Sequence, residues 1–240
     1  MTDFLERTQI LVGERALQEF QKLNIFIAGL GGVGAYTVEA LARAGITKMT
    51  IHDADTISVS NINRQIIAVR STLGRKKADV MKERIADINP LCQVSIQDTF
   101  IASDNVHQVL NGQFDIVVDA IDVFNCKLAF LIHAYNSGYK IYSSLGAGSR
   151  MDPTQIKTGD LFESRNCRLA KLIRKYLRQK GINQGIRAVW SNELPHPPQM
   201  PEENSNKARP IHGTISTVPG IFGLTLAGLI INDFYKELRL

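Results

Sequence analysis

The sequence contains only three cysteines, Cys92, Cys126 and Cys167, among 240 residues. No two of them form a CxxC pair, which excludes a four-thiolate zinc site within one chain, so no zinc is expected. An odd and scattered set also argues against a disulfide framework and fits a reducing cytoplasm. The opening residues, MTDFLER, lack a basic segment followed by an apolar run, so no signal peptide is expected. No internal repeat is evident. Acidic residues are missing from one stretch: residues 164–192 carry eight basic side chains and no acidic one. Residues 151–210 hold 11 Lys/Arg against 6 Asp/Glu, and the remainder of the chain holds 17 against 17. The net charge of +5 therefore sits in one late segment. A block of one sign beside a neutral region points to a polyanionic partner.

What is present is an alternation of short apolar runs and helical periods. Residues 4–22 form a helical region, with Gly13 a weak point inside it. The runs 24–28, 48–52, 93–97, 114–119 and 140–144 read as strands. Between them, 33–44, 73–88, 103–110 and 125–136 read as helices, the second closed by Asn89-Pro90. This order predicts an α/β fold: a Rossmann-like, mostly parallel sheet with helices on both faces. Residues 1–148 would form one Rossmann-like domain, with a nucleotide expected at the strands' carboxyl ends. Residues 149–240 would form a substrate-side extension packed on the same domain. In it, 151–161 is an extended excursion and 166–180 an amphipathic helix bearing Arg168, Lys171, Arg174, Lys175 and Arg178. A Pro-rich stretch, 193–210, is expected to be a mobile loop. Residues 217–233 are apolar to nearly membrane-span length, and are read as a buried or dimer-interface helix, with membrane association the alternative.

The chemistry is concentrated at the strand ends. Gly29-Leu30-Gly31-Gly32-Val33-Gly34 joins a strand to a helix, where backbone N–H groups can approach a phosphate. That loop alone fits NAD, FAD, SAM and ATP equally. Asp53 ends the second strand, 19 residues beyond Gly34, where a carboxylate can hold ribose hydroxyls, and Asp55 follows. Asn61, Asn63 and Arg64 in Ser-Asn-Ile-Asn-Arg-Gln supply amides and a guanidinium suited to a polyphosphate. Lys77 adds a second cation. Asp122, in Asp-Ala-Ile-Asp, could hold Mg²⁺ on the nucleotide.

Taken in order, GxGGVG, DAD, SNINRQ, GxxK and DAID resemble the ubiquitin-activating-enzyme superfamily, including the adenylyltransferases of molybdopterin and thiamine biosynthesis. The resemblance implies Mg·ATP binding and attack of a carboxylate on the α-phosphate, giving acyl-AMP and pyrophosphate. It would place Gly32 and Asp53 at the nucleoside end, with Asp53 on the ribose, and Gly29, Gly31, Gly34, Asp55 and Lys127 among the nucleotide-binding residues. Asn61, Asn63, Arg64 and Lys77 would lie on the phosphates and Asp122 on the magnesium, with Arg64, Lys77 and Asp122 catalytic. Arg7 resembles an arginine often donated to a partner subunit's ATP, which implies a homodimer. Within the superfamily the chain is most similar to tRNA threonylcarbamoyladenosine dehydratases. That finer likeness rests on Gly13-Glu14-Arg15-Ala16-Leu17, Gly146-Ala147-Gly148 and Asp152-Pro153-Thr154-Gln155-Ile156, with Lys127 agreeing after Asp122. Those enzymes adenylate a threonyl carboxylate on tRNA, and the side chain's own nitrogen then closes a ring. The basic helix would bind the tRNA. An activator of a ubiquitin-like sulfur carrier, an NAD(P)-dependent oxidoreductase and a non-enzymatic scaffold are the alternatives. Cys126 is the one cysteine to test as a nucleophile, against the plainer reading of a small residue at a helix start. His212 is a candidate of unassigned role, and a bound monovalent cation is left open.

Overall fold

The computed structural model describes residues 3–199 and 212–239. The predicted first helical region is two helices, α1 (Glu6–Val12) and α2 (Glu14–Lys22), broken at Gly13, whose φ of 84° ends one helix and starts the next. Then come β1 (Asn24–Ala28), α3 (Gly34–Arg43) and β2 (Lys48–His52). They are followed by α4 (Lys77–Ile88), β3 (Gln93–Gln97), α5 (Val106–Val109) and β4 (Ile116–Asp119). Next are α6 (Phe124–Asn136), β5 (Lys140–Ser144), β6 (Ile156–Asp160) and α7 (Arg168–Gln179). Strand β7 (Ile186–Ser191) and helix α8 (Thr217–Glu237) complete the described chain. Helix α4 begins four residues later than its apolar period suggests. Residues 73–76 are instead a turn and bend after a 3₁₀ turn at 70–72, and Lys76 pairs with Thr56 in an isolated bridge.

Seven strands form one sheet in the order β3-β2-β1-β4-β5-β7-β6, parallel throughout except for the edge pair β6–β7. Being covered on both faces, β1 is apolar at consecutive positions, yet its side chains still divide by pleat. Ile25 and Ile27 join a core with Phe20, Val38, Met81 and Phe222. Phe26 and Ala28 join the opposite core with Phe130, Leu131, Ile173 and Leu177. The strand order reverses between β1 and β4, the place where such sheets open a crevice at their carboxyl ends.

Residues beyond 148 belong to this same sheet. Strand β7 lies parallel beside β5 and carries antiparallel β6 at the edge. Sequence reading found the excursion that contains β6 but assigned no strand to 186–191. The segment IRAVWS is short, and its second residue is charged. That charge, Arg187, is absorbed by Asp233 of α8 at 3.0 Å. Most of the Pro-rich loop, 200–211, lies outside the described residues.

Helix α8 has the length and hydropathy of a membrane span. Here it packs as a core helix, burying Val218, Phe222, Leu226 and Ile230 at helical spacing. Its tightest approach is to α3. A Cβ on Gly223 would strike the Val33 carbonyl and come within 2.7 Å of Tyr36 Cβ and 3.1 Å of the Thr37 nitrogen. The Thr37 hydroxyl donates to the Gly223 carbonyl at 3.1 Å across this contact. Gly223→Ala should therefore lower unfolding free energy by about 1–3 kcal/mol, as an overpacked contact does. Gly228→Ala, on the same helix with nothing within 4 Å of its added Cβ, should raise it by about 0.5–1 kcal/mol. Urea denaturation of both variants checks the pair.

Candidate active site

The glycine loop after β1 is folded by its own backbone. Gly29, at φ 93°, donates to the His52 carbonyl at 2.8 Å. A Cβ on Gly34 would overlap the Gly29 carbonyl oxygen, so the first turn of α3 can lie against the loop only with glycine there. The buried carboxylate of Asp53 holds the arrangement, accepting from Leu30 N at 2.7 Å through one oxygen and Asp55 N at 2.9 Å through the other. Asp53 thus shapes the loop at the position where it was expected to meet the ribose.

Two cations converge on this loop. Lys77, at the start of α4 and 5% exposed, sits 2.7 Å from Asp55 Oδ2 and 3.5 Å from Asp53 Oδ1. Its charge is held by carboxylates, and the Asp55 side chain is itself 73% exposed and free to swing aside. The segment 59–64 forms a 3₁₀ turn followed by one further helical turn. The amides of Arg64 and Gln65 both bond to the Asn61 carbonyl, and the Asn61 side chain accepts from Ser58 N. Asn61 therefore folds the turn. Asn63 accepts from Arg64 Nη1 at 3.0 Å and donates to the Thr214 carbonyl at 3.1 Å. Arg64 is thereby laid over Gly32: a Cβ on that glycine would lie 3.3 Å from Arg64 Cγ and 3.1 Å from Pro219 Cβ.

Asp122, past the end of β4, is exposed and joins no ion pair among the described residues. The turn that presents it is built on a buried pair that sequence reading did not see as such. Asp119 and Lys127, both 0% exposed, meet at 2.6 Å. Ser143 Oγ donates to Asp119 Oδ2 at 2.6 Å, and Ile121 N donates to Asp119 Oδ1 at 3.1 Å. Lys127 also donates to the carbonyls of Ile121 at 3.0 Å and Ser144 at 2.7 Å, so all three ammonium protons are used. Lys127 was expected among the nucleotide-binding residues. The geometry corrects this, because it has no donor left and no exposed surface, and its part is to brace the turn. The legible signal was a carboxylate ending an apolar strand, which needs a cation.

Cys126 is buried, and desolvation with the nearby Asp122 charge raises its thiol pKa, so it lacks the thiolate character of a nucleophile. Arg7 is exposed on α1, a helix with no buried residue, and its side chain makes no hydrogen bond or ion pair among the described residues. It contacts none of Arg64, Lys77 and Asp122 among the described residues. On α7, Arg168, Lys171, Lys175 and Arg178 are exposed. Arg174 is not available with them, because it turns inward and donates to the Ser164 carbonyl at 2.8 Å and to the Ser164 hydroxyl. Helix α7 abuts the Asp122 turn through Tyr176, whose ring meets that of Phe124 edge-on at 5.6 Å.

This is a crevice with backbone donors, two cations and one free carboxylate at the switch point of a parallel sheet. Residues 5–235 match the ThiF family. The chain belongs to the ThiF family. Among its relatives, a tRNA threonylcarbamoyladenosine dehydratase of Bacillus subtilis is 31% identical over 98% of this chain and 95% of its own length. Crystal structures of the Escherichia coli tRNA N6-threonylcarbamoyladenosine dehydratase, 34% identical, cover 97% of this chain and 94% of their own. The complex with AMP superposes with a TM-score of 0.88. The complex with ATP gives 0.86. The ThiF-family chain thus shares its architecture with proteins solved with adenine nucleotides.

Removing Lys127 should leave a buried carboxylate without its counter-charge. Lys127→Met is expected to cost about 3–5 kcal/mol in urea denaturation. Adding Asp119→Asn to it should recover part of that loss; no recovery would mean the pair is not what holds the turn.

Proposed function

We propose that this chain is an ATP-dependent tRNA-modifying enzyme that adenylates the threonyl carboxylate of threonylcarbamoyladenosine and then closes a ring on it. What carries the reading is Arg64 held over the glycine loop at the same switch point as the exposed carboxylate of Asp122. A hydride-transfer enzyme needs neither. In the first step a carboxylate oxygen attacks the α-phosphorus and pyrophosphate leaves. Arg64, with Lys77 once Asp55 releases it, would take up charge developing on the phosphates. In the second step a nitrogen of the same substituent attacks the activated acyl carbon, AMP leaves and the nitrogen gives up its proton. The nucleophile is tethered, so orientation supplies much of the rate.

Asp53 would meet the ribose with the lone pairs left after it binds the loop. Asn61 and Asn63 would act on the phosphates chiefly by fixing Arg64. Mg²⁺ is the cofactor this reading adds, supplying charge neutralisation on the phosphates. One exposed carboxylate, Asp122, suits it, since magnesium commonly takes one or two protein carboxylates with phosphate oxygens and water. The exposed basic face of α7, with no acidic residue in the segment around it, would follow the tRNA backbone. That face also favours RNA over the carboxyl terminus of a sulfur-carrier protein. A second copy of the chain would cover α1, where Ile10 and Leu11 are 78% and 81% exposed, and bring Arg7 to a nucleotide in trans. Such an enzyme would work in the cytoplasm.

Incubation with Mg·ATP and tRNA bearing threonylcarbamoyladenosine should remove one water from that nucleoside by mass. Arg64→Ala and Lys77→Ala should each slow turnover about 10²-fold or more, and Asp122→Asn should raise the Mg²⁺ requirement. Normal activity in all three would place the site elsewhere.

A separate measurement addresses the RNA face. Neutralising Lys171, Lys175 and Arg178 together should reduce the log–log salt slope of tRNA binding by roughly two to three units, leaving ATP affinity unchanged. An unchanged slope would make α7 an ordinary solvated helix.

A further inference from the structure

Beyond the end of β5 lies a second concavity, of about 190 Å³, lined by Ser149, Arg150, His196, Gly213, Thr214 and Ile215 among others. It shares a wall with the phosphate side of the crevice, because the Thr214 carbonyl holds Asn63, which holds Arg64. Its charge is unusual. Arg150 is 5% exposed, and its Nη1 and Nη2 donate only to the carbonyls of Gly148 at 2.9 Å and Asn166 at 2.8 Å. Its Nε has no partner, and no carboxylate of the described residues lies within salt-bridge distance. The acid nearby in sequence pairing, Glu193, is occupied by the amides of Met151 and Asp152 and by His196 at 3.5 Å. A buried cation left to carbonyl dipoles is costly unless an anion completes it.

Backbone strain marks the same place. The two non-glycine residues with positive φ among the described residues, Ser149 at 60° and Asn166 at 53°, stand on either side of this guanidinium. Ser149 is held there by its amide on the Gly213 carbonyl at 2.7 Å and by its hydroxyl 3.1 Å from His212 Nδ1. Asn166 is held by its side-chain amide on the Asn192 carbonyl at 2.6 Å. Such conformations persist where the surroundings enforce them, and they gather at ligand sites.

We propose that this pocket is the acceptor half of the active site: it receives the carboxylate arm of the RNA nucleoside, with Arg150 as counter-charge and the Ser149 hydroxyl as hydrogen-bond partner. The assignment rests on the reading of the chain as an adenylating enzyme for such a nucleoside. It answers a difficulty in that chemistry, since a carboxylate must approach a polyphosphate of the same sign. A cation fixed on the acceptor side offsets the repulsion and leaves Arg64 to the phosphates.

The test uses the full chain, Mg·ATP, and tRNA with or without the threonylcarbamoyl group, and follows AMP release, ATP affinity and melting temperature. Gly213→Phe should fill the cavity without moving the backbone, because an added Cβ there meets nothing within 4 Å. It should raise KM for the modified tRNA at least about tenfold with ATP affinity unchanged, and Arg150→Gln should do the same. Arg150→Lys, which keeps the charge, should recover much of the loss. Ser149→Gly should melt higher, freed of its positive φ, yet turn over more slowly. Wild-type kcat/KM in Gly213→Phe would overturn the proposal. So would Arg150→Lys and Arg150→Gln that lose stability alike while keeping KM, the mark of a mere brace. If the wild-type enzyme releases no more AMP with modified than with unmodified tRNA, the tRNA reading itself fails, and the pocket assignment falls with it.

Discussion

The turn that carries Asp122 depends on a charge pair closed off from solvent. Asp119 and Lys127 are both withdrawn from water at the end of β4, and between them they fix the carbonyls and amides of the turn that carries Asp122. In a medium of low dielectric an ion pair of this kind gains little net stability, because desolvation offsets the attraction. What it gains is definition. With every lysine proton assigned and Ser143 completing the carboxylate, the turn has one arrangement. Asp122 then stands exposed on a fixed turn, as its proposed place beside a metal–phosphate complex would require.

On the other side of the crevice the charges are arranged differently. Lys77 lies between Asp53 and Asp55, so its charge is already matched by carboxylates. Asp53 cannot leave, because it holds Leu30 and the loop with it. Asp55 can, being mostly exposed. An incoming triphosphate would compete with one carboxylate for the lysine, and the exchange trades one ion pair for another. Arg64 needs no such exchange, since its partners are neutral oxygens of Ser60 and Asn63.

Much of this was legible in the residues. The strands 24–28, 48–52 and 140–144 stand where the apolar runs placed them, each buried along nearly its whole length, and 93–97 stands there too as a half-covered edge strand. The glycine loop, Arg64 and Asp122 lie on the same edge of the sheet because each follows a parallel strand's end, which is a property of order along the chain. Three things did not show. Strand β7 was hidden by Arg187, whose partner Asp233 lies 46 residues away. The inward turn of Arg174 depends on Ser164, which spacing on one helix cannot reveal. Lys127 matched a motif, but its role is set by burial, and burial is decided by the sheet that closes over it.

The close seating of α8 on α3 has a consequence for synthesis. The glycine loop and Arg64 belong to the first third of the chain, whereas Pro219, which closes over Gly32, is translated long after them. The bond between Thr37 and Gly223 spans 186 residues. Domains form from the amino end as the chain emerges, so the early strands can pair while the crevice still lacks one wall. A nascent or truncated chain ending before α8 would carry the whole set of phosphate-side residues and yet present them on an unroofed sheet.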